Sequence, residues 1–272
     1  MLDAHTTTSS RFRLSLAALA MAVLAGCASG PATNITLIPD ATDQVSSREG
    51  LFAQEVKWKR VKPGCQGECP SLEVNTLVFA GNPKLTGLID HALAVMTGLN
   101  DDQAPRHAGI EEFEQYYWQV AGPRDSVVLA AKLRYRSKYL TVVELDSWQY
   151  FTGAAHGMGA TQFLNWDNAR EAVVPLDHVL AAGGRARYEA ALKRAHEHWL
   201  GKQPDVQADP QTWNRLWPFQ SSDNFAFTDQ GLVVKYDTYQ IAPYSYGQPE
   251  LTIPYAELDG ALKVDYLPMK AG

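Results

Sequence analysis

The chain is poor in cysteine, with three in 272 residues, and it carries no excess of basic charge. So few thiols exclude a disulfide-stapled scaffold and a zinc site built from paired CxxC elements. Lys and Arg number 24 against 30 Asp and Glu, a formal charge of −6, which is the opposite of the basic face that a nucleic-acid binder presents. Long apolar runs are missing as well: Leu14 to Leu24 is shorter than the roughly 20 residues a permanent spanning helix requires. The sequence holds no HExxH, GxSxG, phosphate loop or dinucleotide fingerprint, and no internal repeat or low-complexity tract.

What is present begins with an address. Arg11 and Arg13 precede the short apolar run, and Leu24-Ala25-Gly26-Cys27 closes it with small residues before a cysteine. This tetrapeptide resembles the lipobox of bacterial lipoproteins, which implies cleavage before Cys27 and acylation of that residue. Several acyl chains give a stable membrane anchor where one is marginal. Ala28 and Ser29 follow the cysteine, with no Asp to retain the protein at an inner membrane, so the outer membrane facing the periplasm is the expected home in a two-membrane host. Residues 27–50 are polar and aperiodic and read as the acylated cysteine with a flexible tether. Two sequential subdomains are expected beyond it, residues 51–122 and 123–272. Cys65 and Cys69, in Cys65-Gln66-Gly67-Glu68-Cys69-Pro70, are then an even pair in an oxidising compartment. That favours a small disulfide loop over redox catalysis or metal binding.

Periodicity gives the elements. Leu51 to Val61 and Leu72 to Phe79 alternate and flank the cysteine loop as a hairpin. Pro83 opens a helix whose Leu85, Leu88, Ile89, Ala92, Leu93 and Met96 keep the three-and-four spacing of one buried face. Ile110 to Ala121 reads as a second helix, after a break at Asn100 to Gly109. Ser126 to Arg136, Tyr139 to Tyr150 and Thr161 to Asp167 read as strands. Helical runs follow at Leu176 to Ala182 and Arg185 to Leu200, then a tryptophan-rich irregular stretch, Pro204 to Pro218. A hairpin at Asn224 to Tyr239 leads to Ile241 to Pro249, whose prolines and Gly247 forbid regular strand. Leu251 to Ile253 resumes pairing, and Pro254 opens a short final helix, Tyr255 to Leu262. The fold class is α+β: antiparallel sheet with helices packed on one face.

Two blocks carry a family resemblance. Phe151-Thr152-Gly153-Ala154-Ala155-His156-Gly157, followed by Asn165-Trp166-Asp167, is one. The other comprises Asn224-Phe225, Asp229-Gln230-Gly231-Leu232, Tyr239-Gln240-Ile241-Ala242-Pro243-Tyr244, Gly247, Pro249 and Ile253-Pro254-Tyr255. Together they resemble the extracellular domain of RsiV-type anti-sigma factors. The residues before 125 look more broadly like the subdomain that precedes it, which also stands ahead of the catalytic module in some peptidoglycan deacetylases. The resemblance implies a cell-envelope α+β domain that binds a protein or glycan. Relatives of that type bind lysozyme, which exposes them to regulated proteolysis. Ala154 replaces a second glycine of the family motif, and Phe151 stands where tyrosine is usual. Without a spanning helix, recognition is expected to carry over and transmembrane signalling is not.

The candidate ligand-binding residues are Phe151, Thr152, Gly153, His156 and Gly157 in the first loop, with Tyr239, Tyr244 and Tyr246 in the second. His156 has two readings, a hydrogen-bonding group for a ligand or a lock on its own loop through a backbone carbonyl. The tyrosines likewise suit either an interface or the core. Trp148, Trp166, Trp213 and Trp217 extend the aromatic supply, and tryptophan more often serves a core. His196-Glu197-His198 resembles a metal tag, but residues two apart on a helix point to different sides. Asp177-His178 fails as an acid–base pair for the same reason. No catalytic residue, cofactor or metal is assigned. The leading expectation is a lipid-anchored envelope protein recognising a lysozyme-like enzyme or peptidoglycan, in sensing or protection. A peptidoglycan-acting enzyme and a structural envelope protein are the alternatives.

Overall fold

The computed structural model describes residues 34–35, 52–98 and 107–267, all within one compact unit, Pro31–Gly272. The signal segment 1–26, Cys27, most of the tether and the break at 100–106 lie outside the described residues.

Strands β1 (Asn34–Ile35), β2 (Ala53–Val61) and β3 (Ser71–Phe79) lead to helices α1 (Pro83–Val95) and α2 (Ile110–Val120). There follow β4 (Ser126–Ser137), β5 (Leu140–Tyr150), β6 (Met158–Asp167) and β7 (Ala172–Val173), then α3 (Leu176–Val179) and α4 (Gly184–Leu200). The chain closes with α5 (Pro204–Ala208), α6 (Pro210–Leu216), β8 (Phe225–Phe227), β9 (Gly231–Lys235) and β10 (Glu250–Pro254). The main sheet runs β2-β3-β4-β5-β6-β7, with β1 pairing to the far end of β4, and a second sheet runs β10-β9-β8. All ladders are antiparallel except β3–β4, where Ser71 to Asn75 run parallel to Ser126 to Ala130. The two helices form the crossover that a parallel pair requires. One sheet therefore continues across residues 122 and 123. The segment read as a tether supplies β1, whose Asn34 and Ile35 pair with Ser137 and Arg136.

The two faces of the main sheet carry different cores, because side chains alternate along a strand. Val143 and Leu145 on β5, with Leu129 on β4 and Leu164 and Trp166 on β6, point to α1 and α2 and pack on Leu85, Ile89, Leu93, Phe113 and Tyr117. Val142 and Phe163 point the other way, into a core built with Phe225, Phe227, Val233, Leu251 and Ile253 of the small sheet. Tyr188, Ala191 and Leu192 of α4 join this second core, so α4 backs the small sheet. A register shift between Leu133 and Tyr135 turns Tyr135 from the first face to the second.

Local signals explain the ends. Asn82 caps α1 by accepting from the Leu85 amide at 2.9 Å, with Pro83 at its first position. Cys65 and Cys69 form a disulfide in the β2–β3 connection, closing the expected hairpin. Three stretches differ from expectation. Residues 204–218 are not irregular: Pro204 and Pro210 each open a short helix, and Asp209 caps the second by accepting from the Thr212 amide. The run from Leu176 shortens to a single turn ending at Val179, and the run after Pro254 to a 3-10 turn, Tyr255–Glu257. In both, an isolated bridge between Leu180 and Leu262 takes the chain out of helix.

Candidate functional site

The β5–β6 connection and the β9–β10 connection, 83 residues apart at their contact, meet at the end of the main sheet where β5 turns into β6. Within the first, Gly153 takes a left-handed φ of +92° and the Ala154 amide donates to the Phe151 carbonyl, making a tight turn. Thr152 anchors its base: both its amide and its hydroxyl donate to Asp125 Oδ1 at 2.7 Å. The second connection is pinned from inside by buried Ile241 and Ala242. Gly247, at a φ of +63°, ends the 3-10 turn Tyr244–Tyr246. Tyr239 is a non-glycine residue in the left-handed region, φ +71°, a conformation that costs of the order of 1–3 kcal/mol and is held only by its surroundings.

His156 joins the two loops. Its Nδ1 lies 3.0 Å from the Gly157 carbonyl and its Nε2 lies 2.9 Å from Tyr239 Oη. A carbonyl only accepts, so in the neutral imidazole Nδ1 carries the proton and Nε2 accepts from the tyrosine hydroxyl. The ring stacks on Tyr244 with centroids 3.9 Å apart, and Tyr239 stacks in turn on Trp217. The histidine thus has a side-chain partner as well as the backbone carbonyl foreseen from sequence.

Beside this stack lies an open cleft of about 460 Å³, within the size range of small-ligand sites. Val128, Ala130, Asp146, Trp148 and Gly159 of the sheet form its floor, and Thr238, Tyr244, Ser245, Gly247 and Gln248 form its rim. Trp148 is 39 % exposed and Tyr244 37 %. The indole has its seat because position 157 lacks a side chain: a Cβ there would come within 2.3 Å of Trp148 Cε2.

An ion cluster centred on the buried Glu144 underlies one end of the cleft. Glu144, whose side chain is 1 % exposed, accepts from Lys235 Nζ at 2.5 Å, Lys132 Nζ at 3.0 Å and Arg134 Nη1 at 3.1 Å. Lys235 also reaches Asp146 Oδ1 at 3.0 Å, and Arg134 pairs with Glu250. Burial pulls the Lys235 ammonium down, but the two carboxylates outweigh it and hold it above the ordinary lysine value. The cluster ties β4 and β5 to the small sheet through β9 and β10.

Of the residues singled out from sequence, His156, Tyr239 and Tyr244 form one stack, and Gly157 seats Trp148 beside it. Phe151 stands 51 % exposed where the loop leaves β5, while Thr152 and Gly153 shape the turn. Tyr246 is turned away, donating to Asp205 Oδ2 and meeting Trp199 and Trp213 edge-on. Trp166 is core. Asp146 was missed, and Trp148 was named only as aromatic supply that more often serves a core; the signal was available, since positions 146, 148 and 150 share one face of an alternating strand. His196 is buried against Phe219 and Trp199 while His198 is exposed on the other side of α4. Asp177 pairs with Arg185, and the His178 ring meets Tyr266. Among the described residues no group of three or more His, Cys, Asp or Glu is placed to hold a metal, and no helix is long and apolar enough to cross a membrane.

An α+β domain with an aromatic cleft between its main sheet and the β9–β10 connection is the class that fold and site define. A family model described as protein of unknown function (DUF3298) matches residues 179–256, which span α4, the small sheet and the second loop. A crystal structure of a DUF3298 family protein from Pseudomonas aeruginosa PAO1 superposes with a TM-score of 0.74 at 34 % identity, over 81 % of this chain and 98 % of that one. The chain belongs to the DUF3298 family. A member from Bacteroides fragilis shares the fold, with a TM-score of 0.60 at 18 % identity over 78 % of this chain and 94 % of that one. The peptidoglycan-N-acetylmuramic acid deacetylase PdaC of Bacillus subtilis is 23 % identical over 146 residues, 53 % of this chain. The match spans 31 % of that protein's length.

Proposed function

We propose that this is a cell-envelope protein, lipid-anchored through Cys27 on the periplasmic side of an outer membrane, whose cleft between Trp148 and Tyr244 recognises an envelope glycan. The observation that carries the reading is the cleft itself, where two exposed aromatic rings, Trp148 and Tyr244, stand over a mostly apolar lining that Asp146, Thr238, Ser245 and Gln248 punctuate with polar groups. Aromatic faces stack on the C–H faces of sugars, and fixed polar groups then set orientation. Similarity to part of a protein named for peptidoglycan supports the same compartment. The lipobox at Leu24 to Cys27 supports the anchor.

A lysozyme-like protein is the second reading. Exposed Phe151 and Tyr239 extend the aromatic surface beyond the cleft, and the chain's acidic balance complements a basic partner. The likeness of both loops to the RsiV-type domain favours the same partner. Sedimentation of the full-length protein in detergent with purified sacculi, beside calorimetry against a lysozyme panel, separates the two. Trp148→Ala should abolish retention on sacculi. Wild type that binds lysozyme and leaves sacculi bare reverses the order. For the anchor, Cys27→Ala should move the protein from the membrane fraction to the soluble one, and no change would sink it.

A further inference from the structure

We infer that the Trp148–Tyr244 cleft takes an uncharged, N-acetylated hexosamine unit rather than a cationic or anionic sugar. The inference rests on the glycan reading above and narrows it. Among the residues lining the cleft no Lys, Arg or His occurs, and Asp146 is the single carboxylate. Asp146 is already committed. Its Oδ1 accepts from Lys235 at 3.0 Å, and its Oδ2 faces Lys132 at 3.5 Å.

The cluster behind it balances. Lys132, Arg134 and Lys235 stand against Glu144, Asp146 and Glu250, three charges of each sign. An aminosugar with a free ammonium would have to take Asp146 from Lys235, leaving that buried lysine with one carboxylate instead of two. A sugar carboxylate would approach the Asp146 carboxylate with no free cation in the lining to meet it. A neutral pyranose disturbs neither arrangement. What the cleft offers it is uncharged: the indole face of Trp148, the Tyr244 ring backed by His156, and the hydroxyls of Thr238 and Ser245. Gln248 also lines the cleft, and its Nε2, buried beside Gly159, has no hydrogen-bond partner among the described residues. An amide donor without a partner suits a neutral acceptor such as an acetamido carbonyl, which a free amine lacks.

The test is calorimetry of the full-length protein in detergent with two probes at pH 6, the N-acetylglucosamine tetramer and the fully de-N-acetylated tetramer. The acetylated probe should bind, with an affinity that changes less than about twofold between low salt and 0.5 M salt, since screening acts only on charge. The amine probe should bind at least about tenfold more weakly, one factor of ten being the smallest difference read as discrimination. Trp148→Ala should cost the acetylated probe about tenfold or more, while Trp148→Phe, which keeps a stacking face, should retain most of it. Tighter binding of the amine probe, or a steep salt dependence, overturns the inference and leaves the glycan reading standing. So does retention on sacculi with neither tetramer bound. Absence of binding to tetramers and sacculi alike overturns both.

Discussion

At the scale of single residues, the site depends on what is left out at position 157. With Gly157 the Trp148 indole lies against the backbone, and a methyl group there would overlap Cε2, Cζ2 and Nε1 at 2.3 to 2.6 Å. Overpacking of this kind usually costs about 1–3 kcal/mol. Trp148 is partly exposed and free to swing outward, so Gly157→Ala should fall at the low end in denaturant unfolding. The displaced ring should instead register as a changed tryptophan fluorescence maximum and lost retention on sacculi. A variant that unfolds less readily than wild type, with unchanged fluorescence, would mean the indole is not seated on Gly157. The loop motif was legible as a close-approach backbone. That Gly157 serves Trp148 was not legible, because the strand register places Trp148 opposite Gly159, and Gly157 lies in the loop just before that strand. The partner of His156 was hidden for a similar reason. No local pattern links it to Tyr239, and the bond exists only because two separate loops meet at one end of the sheet.

At the scale of elements, the alternating strands and the three-and-four helices were readable because each carries its period within itself. The charged face of β4 and β5 is the exception. Lys132, Arg134, Glu144 and Asp146 have the composition of a solvated surface, yet Glu144 is buried because β9 lies over it and brings Lys235. Glu144 becomes the buried centre of a charge network once a second sheet covers it, while Lys132 at the rim stays exposed, and nothing local announces the cover. Removing one partner of a buried pair costs about 3–5 kcal/mol, and replacing both with apolar groups costs less. Glu144→Gln and Lys235→Met should each destabilise by about that range toward its lower end, since Asp146, Lys132 and Arg134 keep some pairing. The double variant Glu144→Leu with Lys235→Met should cost less than the sum, and strict additivity would show that the two do not interact in the folded protein. The pH dependence follows from the raised Lys235 value. A lysine whose folded value lies above the unfolded one, 10.5, contributes its stability fully below that pH. The contribution is lost as pH rises through the folded value. Wild type should therefore lose stability across that alkaline window more steeply than Lys235→Met, as read from denaturation midpoints between pH 9 and 11.5.

At the scale of the whole molecule, a single sheet serves two cores. Val142 and Val143, adjacent on β5, feed opposite ones. The parallel β3–β4 ladder carries the sheet across residues 122 and 123. A subdomain boundary was expected there, whereas the ladder over it was not readable, because pairing after a two-helix crossover is a long-range event. Such an arrangement couples the cores: losing α1 and α2 uncovers the face whose reverse holds the small sheet. Unfolding should then be a single cooperative transition. Leu129→Ala, in the core beneath α1, should cost about 2–5 kcal/mol. It should lower the midpoint equally for probes in both cores, Trp166 in the first and Tyr188 in the second. Amide exchange read by mass spectrometry supplies both probes at once. If Leu129→Ala loosens β4 and α1 while α4 and β9 keep wild-type protection, the two cores unfold independently. The segments 51–122 and 123–272 would then be separate folding units in spite of their shared sheet.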